Sequence, residues 1–132
     1  MMHCGKLLTA MAVVMAVAFS ALGQTAGTQT SYHSLDAATF AMLVEDSMVV
    51  VLDVRSPQKY AEGHLAKAIN IPIDGQLEQI VQSSIDISKT LAVYCNRGRS
   101  SKLAASRLAA IGYSVIELDG GFLEWQRYVN DK

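Results

Sequence analysis

Beyond residue 31 the chain falls into short apolar runs, each followed by a polar turn and then an amphipathic stretch. Met48 to Leu52 is unbroken and β-branched, and it stops at Asp53. Ala68 to Ile71 is shorter and is stopped by Pro72. Leu91 to Tyr94 and Val115 to Leu118 complete the set. Continuous rather than alternating hydrophobicity marks strands covered on both faces, as in parallel sheets. Between the runs lie helical signals. Ser34 is placed to cap a helix over about 35–45, with Asp36 in its first turn and Ala37, Phe40, Ala41 and Val44 as its apolar stripe. Ser56-Pro57 opens a short helix that Gly63 ends. Leu77, Ile80 and Val81 mark another. Lys102 to Ile111 is a helix whose buried face is Ala104, Ala105, Leu108 and Ile111, ended by Gly112. Gly120-Gly121 turns the chain into a last helix holding Phe122, Trp125 and Tyr128.

Strand and helix alternate throughout, which predicts an α/β domain: a central parallel sheet of four to five strands with helices on both faces. In such sheets the ligand lies beyond the C-terminal ends of the strands. Asp53-Val54-Arg55 and Cys95 both fall at such ends.

The first 30 or so of the 132 residues read differently. Lys6 precedes a nearly all-apolar run from Leu7 to Leu22, and Ala21-Leu22-Gly23 offers small residues where a signal peptidase reads. Residues 1–23 are expected to be a signal peptide cleaved after Gly23, giving a periplasmic or secreted protein. The competing reading is an uncleaved anchor, for which the run is short of the usual ~20 residues. Residues 24–31 form an uncharged Gln/Thr/Gly leader, and a single domain follows over 32–130. Of the 11 Lys and Arg, Lys6 would leave with the signal peptide, so the mature domain carries slightly more acid than base, with 12 Asp and Glu in the chain. That balance argues against nucleic acid or a membrane surface as partner. Cys4 leaves too, so Cys95 is the one remaining thiol and has no internal disulfide partner.

Cys95 ends an apolar run and begins the loop Asn96-Arg97-Gly98-Arg99-Ser100-Ser101, after which a helix starts. Loop amides and a helix N-terminus both favour negative charge. A free thiol titrates near 8.5, so making thiolate the majority form at neutral pH takes a shift of roughly 2 kcal/mol. Gly98 lets the backbone turn inward where a Cβ would clash. Ser100 and Ser101 bring hydroxyls that bond sulfur or cap the helix. Arg97 and Arg99 add positive charge that suits a small dianion, unless they are merely solvated loop residues.

Four segments, in order, resemble one known family. They are Asp53-Val54-Arg55-Ser56-Pro57; Tyr60-Ala61-Glu62-Gly63-His64-Leu65 running on to Ala68-Ile69-Asn70-Ile71-Pro72; the Cys95–Ser101 loop; and Gly120-Gly121-Phe122-Leu123-Glu124-Trp125. Over residues 31–130 the chain resembles a single-domain rhodanese, a sulfurtransferase. The resemblance implies that Cys95 accepts a sulfane sulfur from a small anionic donor such as thiosulfate. It would pass it as a persulfide to cyanide, a thiol or a protein dithiol, with no cofactor. Asn96 to Ser101 would bind substrate. Asp53, Arg55 and His64 would support the site, Asp53 by bonding loop amides, Arg55 by pairing with Asp53 or Glu62, and His64 by packing rather than as a general base. His33 is given no role, and Trp125 is read as core.

Three rivals are weighed against this reading. A cysteine phosphatase or arsenate reductase holds its oxyanion with an arginine six positions after the cysteine, where this chain has Ser101, followed by Lys102. A thiol–disulfide oxidoreductase wants a second cysteine where Gly98 stands. The alternative from a different class is a non-catalytic module that docks a periplasmic redox or sulfur-trafficking partner. His33, His64 and Cys95 show no metal-ligand spacing.

Overall fold

The computed structural model describes residues 31–132. The expected signal peptide and nearly all of the leader lie outside the described residues. Five parallel strands form one sheet: β1 (His33–Leu35), β2 (Val49–Asp53), β3 (Ile69–Asn70), β4 (Thr90–Tyr94) and β5 (Ser114–Leu118), in the order β1-β5-β4-β2-β3. Five helices connect or follow them: α1 (Ala37–Leu43), α2 (Pro57–Glu62), α3 (Leu77–Ser84), α4 (Ser100–Ala110) and α5 (Gly121–Asn130). Among these described helices none is long and apolar enough to cross a membrane.

The central strands are covered on both faces, as their unbroken apolar runs require. Leu52, Val54, Leu91, Val93 and Val115 face Leu77 and Val81 of α3 and Ala104, Ala105 and Leu108 of α4. Val51, Ala92, Tyr94 and Leu118 face Phe40 of α1, with Trp125 and Tyr128 of α5 packed alongside. Fully burying a leucine or valine contributes about 1.5–3 kcal/mol, so Leu52, Leu91, Val93 and Leu118 are principal stabilisers. The alanines of α4 let it lie close to the sheet. Its buried face differs from expectation: Ser101 and Ala109 are buried as well and Ile111 only partly so, because the helix runs from Ser100 and ends at Ala110.

The expected first helix starts too early. Ser34 lies in strand β1, which pairs with β5 in the register Ser34↔Glu117, and the helix is capped instead by Asp36, whose carboxylate accepts from the Thr39 amide at 2.8 Å. A three-residue edge strand is too short to show a period. Only its pairing with β5, some eighty residues later, makes it a strand. His33, given no role from the sequence, likewise lies in β1.

Candidate active site

Alternation along β4 sends Tyr94 to one face of the sheet and Cys95, the next residue, to the other. At the C-terminal end of the strands this produces two buried polar clusters, one per face.

On the Tyr94 face, Asp53 ends β2 with no exposed surface. It accepts from the Arg55 amide at 2.9 Å, from the Arg55 guanidinium at 2.7 Å and from the Tyr94 hydroxyl at 2.6 Å. Arg55 also donates to the Gly63 carbonyl at 2.7 Å and lies over the Phe122 ring at 4.4 Å. It therefore pairs with Asp53, not Glu62. Burial works against the Arg55 charge, but the bond to Asp53 and its negative charge more than offset it. Burial, then the Asp53 bond, push the Tyr94 phenol far up, so it stays a neutral donor. The Leu65 amide in turn donates to Tyr94 Oη at 3.1 Å. Asn70 Nδ2 ties down the Asp53 and Arg55 carbonyls. His64 is exposed and stacked on Tyr60 at 3.8 Å, with Nδ1 3.0 Å from the Leu65 carbonyl. It braces the loop and does not line the cleft of Cys95.

On the other face, Cys95 is 5% exposed and sits at the base of a cleft of about 360 Å³. The Gly98 amide donates to its sulfur at 3.1 Å. The thiol faces Ser101 Oγ at 3.3 Å, and Ser101 donates onward to Glu117 Oε2 at 2.5 Å. Ser101 lies in the first turn of α4, so the positive end of an 11-residue helix abuts the sulfur. Neither serine caps that helix: its cap is Arg99, in helical conformation with no side-chain bond, because Ser101 is held inward and Ser100 faces outward. A cradle of several amides was expected; Gly98 supplies the one amide within bonding distance of the sulfur among the described residues.

Helix α5 fixes the loop. The Phe122 amide donates to the Cys95 carbonyl at 2.8 Å and the Leu123 amide to that of Asn96 at 3.1 Å. Gly121 has φ +66°, and a Cβ there would stand 2.6 Å from the Cys95 oxygen. Gly120-Gly121 is thus more than a turn: it is what lets the last helix dock on the cysteine loop.

The cleft walls join apolar Val54 and Ile73 to four bases, Arg55, Lys59, Arg97 and Arg99, with no acid among the lining residues. Arg97 and Arg99 are exposed at the mouth. Asn96 and Ser100 complete the wall. Two residues escaped the sequence reading. Lys59 carries no motif. Glu117 left one signal, an acid inside the apolar run Val115–Leu118. It is fully buried, and besides Ser101 it accepts from Ser34 at 2.5 Å and Lys102 at 3.3 Å. A second cavity, at the opposite ends of the strands around His33, Thr90 and Tyr113, has no cysteine among its lining residues.

A family model described as a rhodanese-like domain matches residues 36–128. Over 70 residues the chain is 41% identical to a thiosulfate sulfurtransferase, PspE, of Escherichia coli K12, a match covering 53% of this chain and 67% of that protein. A rhodanese-related protein of Thermoplasma volcanium superposes with a TM-score of 0.65 at 31% identity, over 74% of this chain and 93% of the other. A protein of Rhodopseudomonas palustris described as a possible tyrosine phosphatase superposes at 0.66 with 25% identity, over 74% and 82%.

Proposed function

This chain belongs to the rhodanese-like domain family, and on that footing we propose that it moves a sulfane sulfur from an anionic donor such as thiosulfate, through a persulfide on Cys95, to a thiophilic acceptor. The observation that carries the reading is the Cys95 sulfur at the base of a cleft walled by Lys59, Arg97 and Arg99, with no acid among its lining residues and an amide donating to the sulfur.

The bases draw the dianionic donor in, and Val54 and Ile73 keep the reacting end partly dry. The Cys95 sulfur attacks the outer sulfur of thiosulfate. A bond forms between the two sulfurs, and the bond to the sulfite sulfur breaks with its electron pair leaving on sulfite. The persulfide anion stays within reach of the α4 N-terminus and the loop cations. Cyanide, or the thiolate of a small thiol or protein dithiol, then attacks the terminal sulfur, and Cys95 leaves as thiolate. Asn96, Arg97, Arg99 and Ser100 form the wall that receives the donor, whereas Gly98 and Ser101, expected there too, are buried behind it against the Cys95 sulfur. Asp53 and Arg55 brace it from the other face of the sheet, and His64 holds the loop behind them. The position six after Cys95, where a phosphatase keeps its arginine, is here Ser101, packed against sulfur and Glu117 with no exposure.

The test is the intact mass after incubation with thiosulfate. A gain of one sulfur atom, lost on adding cyanide, supports the enzyme. An unmodified mass refutes it and leaves the docking module. The apolar run Leu7–Leu22 supports export with cleavage after Gly23, which N-terminal sequencing of the protein recovered from its cells checks.

A further inference from the structure

The buried acid of β5 has no part in the chemistry above, yet it stands one hydroxyl away from the nucleophile. Glu117 Oε2 accepts from Ser101 Oγ at 2.5 Å, and Ser101 Oγ is 3.3 Å from the Cys95 sulfur. The Ser101 side chain has a single hydrogen to donate, on its hydroxyl. Because that hydrogen goes to the carboxylate, Ser101 turns a lone pair toward Cys95 and accepts the thiol's hydrogen. The chain of bonds therefore runs in one direction, from sulfur to Ser101 to Glu117. Packing alone does not ask for an acid here: Val115, two residues earlier on the same face, shows what the sheet accepts, and a buried carboxylate is costly.

We propose that Glu117 receives the Cys95 thiol proton through Ser101 as the sulfur attacks its donor. The Sγ–H bond breaks with its electron pair left on sulfur. That hydrogen joins Ser101 Oγ while the Ser101 hydrogen passes to Glu117 Oε2. No side chain has to move, and every bond in the chain survives with its direction reversed. The neutral carboxyl now donates to Ser101, and Ser101 joins the Gly98 amide as a second donor to the sulfur anion. When Cys95 leaves as thiolate in the second half of the cycle, the proton runs back along the same path. The inference rests on the sulfur-transfer reading for its role in turnover, though the relay itself is a property of the thiol.

The surrounding charges fit the shift. Around Glu117 stand Ser34 from β1, Ser101 and Lys102 from α4, and, through Lys102, Asp119 beyond β5. Lys102 Nζ lies 2.9 Å from Asp119 and 3.1 Å from the Gly98 carbonyl, so it keeps partners when Glu117 becomes neutral. Around Cys95 the cleft presents Lys59, Arg97 and Arg99, which favour the sulfur anion, while the Arg55 charge is matched by Asp53.

The experiment measures the rate of Cys95 alkylation by iodoacetamide, and of sulfur loading from thiosulfate, from about pH 6 to about pH 8.5. An internal acceptor makes both rates in the parent nearly independent of pH. In Glu117→Gln and Ser101→Ala the solvent must take the proton, so both rates rise about tenfold per pH unit. Ser101→Thr, which keeps the hydroxyl, restores the flat profile. Far-ultraviolet circular dichroism and thermal unfolding identify folded variants, and either broken-chain variant suffices. Profiles shared by the parent and both variants overturn the relay. So does faster alkylation of Glu117→Gln at neutral pH, which would make the carboxylate a brake on ionisation. A parent that alkylates with the flat profile but takes up no sulfur refutes the sulfurtransferase reading and upholds the relay.

Discussion

The Gly98 amide nitrogen stands 3.1 Å from the Cys95 sulfur, and Gly98 reaches that position only because it lacks a side chain. Its φ is +90°, and a Cβ there would meet the Gly120 nitrogen at 2.8 Å. Gly98→Val therefore has to push the start of α5 away from the loop or turn the amide off the sulfur. Losing one well-placed donor to a developing anion lowers kcat by about 10²- to 10³-fold, and a drop of that size in kcat is expected here in steady-state thiosulfate:cyanide assays.

Cys95→Ser removes the nucleophile while changing little else, since oxygen for sulfur is nearly isosteric and the Gly98 and Ser101 contacts remain available. Sulfur loading is expected to vanish by mass spectrometry. The unfolding free energy from urea titration should stay within about 1 kcal/mol of the parent's.

Arg97 and Arg99 reach the cleft mouth from exposed positions and bond to nothing else among the described residues. Their role is attraction of an anion, so Arg97→Ala or Arg99→Ala should raise KM for thiosulfate about three- to tenfold with a smaller fall in kcat. The effect should shrink as salt rises. Initial-rate kinetics at two ionic strengths check both points.

On the opposite face, Asp53→Ala would leave the Arg55 guanidinium buried without its partner. Breaking a buried pair in this way costs about 3–5 kcal/mol. Tyr94→Phe is milder, about 1–3 kcal/mol, because it strands the Leu65 amide and one bond to Asp53. Equilibrium urea unfolding should rank the two in that order.

Stability should hold from neutral pH down to about 4 and then fall. The Thr39 amide holds Asp36 below the usual carboxylate range, Arg107 does the same for Glu78, and the Ser88 amide for Asp86. Each is lowered in the folded chain, so the unfolded chain takes up protons first as pH drops. Their stabilisation is complete above the unfolded values and is lost through the folded ones. Thermal unfolding across the acid range checks the sign.

The sequence by itself determined the α/β layering, four of the five strands, and the place of Cys95 between a strand and the loop that opens a helix. Those signals are local: unbroken apolar runs, Pro57 at a helix start, Gly63 and Gly112 at helix ends, and a cysteine between a strand and a helix. It left Arg55 to pair with either Asp53 or Glu62, and the turn after β2 settles on Asp53, two positions before it. Only the tertiary structure decided what lies across the sheet. The strand character of Ser34, and its bond to Glu117, depend on the pairing of β1 with β5 across 83 residues. Gly121 owes its need for glycine to the Cys95 carbonyl, which belongs to a different element. Glu117 meets Ser101 because strand register and helix docking place them on one face, 16 residues apart in the chain. Hydrophobic period fixes which residues are buried, but which buried polar groups touch is a matter of register and packing, and neither is written in any short window of residues.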